Sequence, residues 1–594
     1  MIALSHKRAG TTIRCGIMAI VVVVAAAIAD AQAQDSQTAL GARPISGKVV
    51  TRDGESLSNA RVTIARYGVS SSPQTVRTNA GGSFETEPLD PGLYGVSAYA
   101  PGYVTYLSPA TVTPTYYRPG DNATLTLIKG GVITGTVKNS NGDPLIAILV
   151  RAIRVRDAEG KPIAFPTSLR DRFTDDRGVY RAYALPPGTY VVAAGGSSRF
   201  GANPVTPFEV DAPLYAPSST RDAAVEVVIN NGEEMTVDIQ YRSEPGHIVS
   251  GIVTGAAKPT GTSSYAASVS LLDRRTRAEI GGGAISNNNF VFSIYGVPDG
   301  EYEIHASQGG PSGETLISPP SQVKVQGNDV TGISLAVAPM GSIDGRVILE
   351  SDPKAACGKR RSSALLETMI SARRHETEDK TAGRQGKETQ ASEVPARFRN
   401  SAPQSTSDSR GSFNLKNLVP GTFLIDVREP ASGWFARSIG FDRPIKNLNI
   451  PRDGLTLKAG ERTSGLVVTI AEGAAKLQGR ISVREGQTLP LTFRVYLTPS
   501  ERENADSVLR FYEARPDLSG NFTVDNIAPG RYWIVARPFE ENESGAIKSI
   551  RRDKTFRSTV QREAEALKKN LALKPCEQLA NYDLPLGSDP TSQP

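Results

Sequence analysis

Cysteine is scarce, with three residues in a chain of 594. Cys15 lies ahead of the N-terminal apolar run, so it is not placed as a lipid-attachment cysteine would be. Cys357 and Cys576 allow one disulfide at most, and the sequence leaves the bonded and free states equally open. Neither sits in a setting that resembles a catalytic cysteine. Histidine is nearly as rare, at four residues. No charge of one sign dominates: 67 Lys and Arg stand against 61 Asp and Glu, a formal charge of +6. Both signs are mixed along the chain, which excludes a basic nucleic-acid stripe. Past residue 29 no apolar run is long enough to cross a bilayer, so no transmembrane segment is expected in the mature chain. A Gly-x-Ser-x-Gly elbow is missing, as is a glycine-rich phosphate loop ahead of a helix. Those absences argue against an enzyme.

The N-terminus is organised for export. Lys7, Arg8 and Arg14 precede an apolar stretch from Gly16 to Ala29, and Ala31-Gln32-Ala33 fits the small-x-small cleavage rule. The reading is a signal peptide over residues 1–33 and a mature chain from Gln34; an uncleaved anchor is the alternative, for which the run is short. Cleavage removes three basic residues and Asp30, taking the charge from +6 to +4.

What is abundant is a repeat. An apolar-x-Gly-x-apolar opening occurs at Ile45–Val49, Ile133–Val137, Val249–Val253, Ile343–Val347 and Leu477–Ile481. Each reads as a short strand whose central Gly marks a bulge or a close backbone approach. Farther on, an aromatic is followed eight positions later by Gly and two later by another aromatic. The sets are Phe84/Gly92/Tyr94, Tyr180/Gly188/Tyr190, Phe292/Gly300/Tyr302, Phe413/Gly421/Phe423 and Phe522/Gly530/Tyr532. Pro precedes the Gly in four sets and Asp299 in the other, which predicts strand, tight turn and returning strand. Ahead of the aromatic stands a hairpin at Asn79–Gly82, Asp175–Gly178, Asp408–Gly411 and Asp517–Gly520, replaced in the third set by Asn287–Asn289.

The repeat divides the chain into units at 43–128, 129–242, 243–337, 338–472 and 473–540, each of β-sandwich size or a little less. Short linkers make the array semi-rigid. In the fourth unit, 68 residues separate Ile343 from Gly411, against 37 to 45 for the equivalents, and the excess is a polar insertion at 353–407. Within it, Leu365–Arg374 reads as a second strand or a short helix. After residue 540 the β pattern breaks. Phe556, Val560, Ala564 and Leu567 recur at helical spacing, so 541–594 is read as a helical C-terminal tail, either a cap on the last unit or a partner-binding helix.

The opening Ile-x-Gly-x-Val, the Asp-x-x-Gly-x-Phe hairpin and the turns Leu185-Pro-Pro-Gly188-Thr-Tyr190 and Leu418-Val-Pro-Gly421-Thr-Phe423 resemble the carboxypeptidase regulatory-like domain. Ala100-Pro-Gly-Tyr103 fits the same pattern, and the resemblance runs from about 43 to 540. It implies an all-β chain of five tandem transthyretin-like (prealbumin-like, carbohydrate-binding-like) Greek-key sandwiches between a signal peptide and a short helical tail. Every residue carrying it is a turn or core residue, so it speaks for fold and little for function. Related domains serve beside peptidases, on adhesins and at the front of outer-membrane receptors.

The family name raises a metallocarboxypeptidase. His375-Glu-Thr-Glu378 has the His-x-x-Glu spacing, yet no His follows it to complete the ligand set, and it lies in the polar insertion. His247 and His305 read as structural. No cofactor is expected. Calcium is the one ion the hairpin carboxylates Asp175, Asp176 and Asp408 suit, although no full ligand run is present and Asp at a hairpin caps the turn. Sugar stacking would fall to loop aromatics, with Trp434 first and Tyr103, Tyr116 and Tyr117 after it. Trp533 should face away from Tyr532 by strand alternation. The reading is a non-catalytic, exported, modular scaffold or binding protein of the cell envelope, periplasmic, outer-membrane-associated or extracellular. Its partner is an envelope protein or polysaccharide. The alternatives are a carbohydrate-binding protein using those aromatics, and an accessory module of a separate peptidase or receptor.

Overall fold

The computed structural model describes residues 42–586 except 69–71, 107–114, 167, 198–205, 219, 257–266, 286–288, 311–312, 353–356, 358–363, 376–394, 396–397, 399–401, 444–447, 483–492, 518 and 541–547. The signal-peptide reading falls outside these residues. The described chain is nearly all β, arranged as five successive pairs of sheets.

One plan recurs. The opening strand pairs antiparallel with the strand that carries the first aromatic, and parallel with the last strand of the same unit. In the first unit Ser46–Thr51 lies between Ser83–Glu85 and Asn122–Lys129. In the others Gly131–Lys138, His247–Thr254, Gly341–Glu350 and Ala475–Ser482 hold the same place. A parallel partner cannot be reached by a hairpin, so the chain crosses to the second sheet and back between them, which is the Greek-key path. The second sheet of the first unit is Gln74–Arg77, Arg61–Arg66 and Tyr94–Tyr99.

The recurrent glycines have two separate causes. A Cβ on Gly47, Gly135 or Gly251 would lie 2.0 Å from the carbonyl of the parallel strand, at Ala123, Val237 and Ile333. On Gly345 it would be 2.4 Å from the Phe413 ring, and on Gly479 it would be 2.4 Å from the Tyr582 carbonyl. In the third, fourth and fifth units the parallel register also slips at this point, so close approach and bulge coincide. The turn glycines Gly92, Gly188, Gly421 and Gly530 take φ of 157°, 149°, 144° and 149°. Over each lies an arginine: Arg66, Arg154, Arg374 or Arg510. Arg66, Arg154 and Arg510 donate to the carbonyl of the turn proline, at 2.6, 2.5 and 2.8 Å.

The returning aromatics fill the sandwich interiors. Tyr190, Tyr302, Phe423 and Tyr532 are fully or almost fully buried, and Tyr94 nearly so. The four tyrosines donate their hydroxyls to the carbonyl four residues back, at Asp90, Pro186, Pro298 and Ala528. Each thus buries a ring and satisfies its polar end within one turn.

One open alternative is decided and one expectation is revised. The insertion at 353–407 is not wholly outside the sandwich: Met369–Arg374 is the second strand, paired with Gly421–Arg428 and with Gln404–Thr406. Ile370 and Ala372 alternate into the fourth core while Met369 faces the first unit, so both faces of this strand are buried although polar sequence surrounds it. The C-terminal segment holds the helix Lys554–Leu567, but it continues into Asn570–Leu573 and Gln578–Pro585. The first pairs antiparallel with Gly530–Pro538, and the second pairs parallel with Ala475–Ser482. The fifth sandwich therefore closes only with residues beyond 540. The helix lies in the connection, capped by Asp553, whose Oδ1 accepts from Phe556 N. Phe556, Val560 and Ala564 pack on Tyr496, Phe511 and Val535, with Trp533 beside them and Tyr532 in the core on the other face.

Candidate interaction surfaces between units

The units do not form an open string. Each touches the next, and the first also meets the fourth. Tyr116 is the centre of that contact. Its ring meets Tyr67 edge-on at 5.0 Å, and the Arg428 guanidinium lies 4.6 Å from its centroid. Its hydroxyl donates to Gln404 Oε1 at 2.7 Å. Thr406 Oγ1 donates to the Tyr67 carbonyl at 3.0 Å, and Arg118 Nε stands 3.2 Å from a Glu367 carboxylate oxygen. Leu93 and Met369 close the apolar floor. Burial, with Tyr116 adding to it, raises the Tyr67 hydroxyl above its ordinary pKa. Burial and the nearby Arg118 lower that of Arg428. A chain of contacts thus runs from the first unit through the second, third and fourth and back to the first.

Between the second and third units, Arg151 donates to the Gly195 and Ile280 carbonyls at 2.8 and 3.1 Å, and Arg275 pairs with Asp222. Between the fourth and fifth, Arg552 reaches Asp426 at 3.2 Å, and Cys357 is disulfide-bonded to Cys576. Burial raises the Glu429 carboxyl here, against the lowering pull of Arg551.

Trp434 opens the strand Trp434–Phe441 and is 7% exposed, packed in the core of the fourth unit. The preceding Ser432-Gly433 turn hides the ring instead of presenting it, so Trp434 is not a sugar platform. Tyr116 is buried in the contact just described. Tyr103 and Tyr117 are half-buried and pack on the first core. The structure does not bring the four together as one binding face.

His375 donates its backbone N–H to the Thr422 carbonyl, while Glu378 lies outside the described residues. His305 is buried with its ring 6.0 Å from Phe398, and His247 stands 3.3 Å from Asp299. Among the hairpin acids, Asp175 Oδ1 accepts from Arg177 N and Val179 N, and Asp408 Oδ1 from Arg410 N and Ser412 N. These carboxylates serve their own turns. The bond from Val179 N, followed by the Arg177 side chain, holds Asp175 below its ordinary pKa.

Sequence reasoning missed the turn-covering arginines and the whole contact between the first and fourth units. Arg66, Arg154 and Arg374 stand late in the second strand of their units, a repeat that was open to inspection. Tyr116 and Gln404 are 288 residues apart and share no pattern.

Comparison with known proteins agrees with the first unit in particular. A family model for the carboxypeptidase regulatory-like domain matches residues 44–127. No curated protein matches the chain. Among solved structures, the Bacillus anthracis TIE protein is 16% identical over 50% of this chain and 51% of its own, with a TM-score of 0.14. The chain therefore spans about half that protein's length. The minor pilin GBS52 of Streptococcus agalactiae is 13% identical over 37% of this chain and 100% of its own, with a TM-score of 0.18. The major pilin subunit BcpA of Bacillus cereus is 10% identical over 50% of this chain and 99% of its own, with a TM-score of 0.13. Those scores are too low to bear on how this chain works. Residues 44–127, which form the first sandwich unit of a nearly all-β chain, match the carboxypeptidase regulatory-like domain.

Proposed function

We propose that this is a non-catalytic modular scaffold of the bacterial cell envelope, exported by its N-terminal signal, whose sandwich units hold binding surfaces for an envelope protein or polysaccharide in fixed relation. The observation that carries the reading is the contact of Tyr116 and Tyr67 with Gln404, Thr406 and Arg428. A chain that folds its first unit onto its fourth sets a geometry, which a scaffold needs. Polar side chains at its turns and openings are committed to backbone partners, as at Asp175, Asp408 and Arg154. The disulfide between Cys357 and Cys576 suits an oxidising compartment.

The test uses the mature chain from Gln34 to Pro594. It is assayed for hydrolysis of peptide and glycoside substrates and for saturable binding to purified envelope polysaccharides and outer-membrane vesicles. Saturable binding without turnover is expected. Turnover that follows the protein through purification, and disappears with a point substitution, would overturn the scaffold reading.

A further inference from the structure

Four positions past the aromatic of the hairpin strand stand Ala184, Gly296, Asn417 and Asn526 in the second to fifth units. All four take a positive φ, of 55°, 65°, 62° and 57°. At each, the antiparallel ladder with the opening strand gains an extra residue: between Tyr183 and Leu185, and opposite Ile248, Ser342 and Lys476. This is a β-bulge, and it turns one residue out of the sheet toward the unit before. In the first unit the position is Pro88, whose ring fixes φ near about −65°, so the same bulge cannot form there.

In the third, fourth and fifth units the bulge meets the loop that follows the returning strand of the preceding unit, and in the second it reaches that loop through the linker residue Gly130. Asn417 Oδ1 accepts from Thr315 N at 2.7 Å, and its Nδ2 donates to the Gly313 carbonyl at 3.0 Å. With its amide nitrogen turned to them, Asn526 donates to the Ala431 and Trp434 carbonyls, at 3.3 Å each. Gly296 lies so near the preceding unit that a Cβ would be 2.3 Å from the Asp211 carbonyl oxygen and 2.9 Å from that of Glu209. Ala184 packs on Gly130, whose N–H donates to the Gly102 carbonyl at 2.8 Å.

We infer that this bulge residue is the joint of the array: it seats each unit on the loop after the returning strand of the unit before, and so sets the angle between them. A linker of a few residues fixes distance but leaves rotation free, whereas a residue held by its own ladder and bonded to the neighbour's backbone removes that freedom. The joints act in series, so the meeting of Tyr116 with Gln404 depends on those between them. The inference deepens the scaffold reading, and its geometry can be tested whether or not that reading holds.

The test is Asn417→Gly in the full mature chain. Glycine keeps the positive φ and removes both side-chain bonds to the third unit. Small-angle scattering should show a larger radius of gyration. Amide exchange should rise several-fold at Gly313–Thr315 and, remotely, at Tyr116–Tyr117, while exchange in the fourth core stays as in the parent. Asn417→Asp keeps the acceptor for Thr315 and loses the donor to Gly313, so it should fall between. If Asn417→Gly does not fold by circular dichroism, Asn417→Asp reads the same amides. Unchanged scattering and exchange in a folded variant would overturn the joint. Such a result would leave the scaffold reading to its own test, which reads turnover and binding.

Discussion

Cys357 and Cys576 lie 219 residues apart in sequence and are joined by a disulfide, with their Cα atoms 5.0 Å apart. The bond crosses the hinge between the fourth and fifth units. Cys576 N donates to the Gly473 carbonyl, and Gly473 N donates to the Gly433 carbonyl, so the Cys576 side of the bridge is tied to the short linker between the units. Cys576 also stands two residues before Gln578–Pro585, the strand that closes the fifth sandwich. Reduction, or Cys576→Ser, should therefore destabilise the fifth unit and its seat on the fourth. A loss of roughly 2–5 kcal/mol is expected. Denaturant unfolding with and without reductant checks it, with the first three units unaffected.

Tyr116→Ala should open the contact between the first and fourth units without unfolding either. It removes the ring between Tyr67 and Arg428 and the hydroxyl bond to Gln404. Limited proteolysis should then cut near Tyr67 and Tyr116 faster than in the parent, with thermal midpoints close to unchanged. An unchanged cleavage pattern would mean that the contact contributes nothing to closure.

Trp434→Ala separates the sugar-platform expectation from its buried position. A ring packed with Phe413, Ile439 and Leu466 should cost about 3–5 kcal/mol on truncation. Differential scanning calorimetry should show the fourth-unit transition move down. Glycan affinity, where present, should follow the folded fraction and not the ring.

The hairpin aspartates give a pH dependence with a definite sign. Asp175 and Asp517 are held below the ordinary carboxylate value of 3.8 by hydrogen bonds from their own turns. A folded-state pKa below the unfolded one gives stability that is present above the unfolded value and lost as pH falls through the folded value. These turns should loosen below about pH 4, as seen in amide exchange of Val179 and Asn521. Asp175→Asn should remove the second hairpin's share of that dependence and keep the turn. Asn79 already plays the part in the first unit, accepting from Gly81 N and Ser83 N at 3.0 Å each.

The sandwich and its repeat were legible in the chain, because those rest on local patterns. Gly47 and its four equivalents recur in every unit, the aromatic pairs keep a fixed spacing, four Asx hairpins stand at a fixed distance ahead of them, and each has a cause within one unit. Alternation turned Tyr532 inward and Trp533 toward the helix, and the spacing of Phe556, Val560 and Ala564 marked that helix. The strand Asn570–Leu573 was too short to show a period, so the closure of the fifth unit was hidden behind the helix. The burial of Trp434 was hidden because a strand begins there while the preceding Ser-Gly suggests a loop.

What joins the units emerges from the folded molecule alone. The pairing of Cys357 with Cys576, the seat of Asn417 on Gly313 and Thr315, and the packing of Tyr116 against Arg428 link residues about a hundred to more than three hundred positions apart. Such contacts follow from the angles accumulated along the array, and one strand's pattern carries no record of them. A sandwich core is written into alternation and turn residues because every unit must bury its own apolar face. Which finished surfaces then meet is fixed only once all those units are in place.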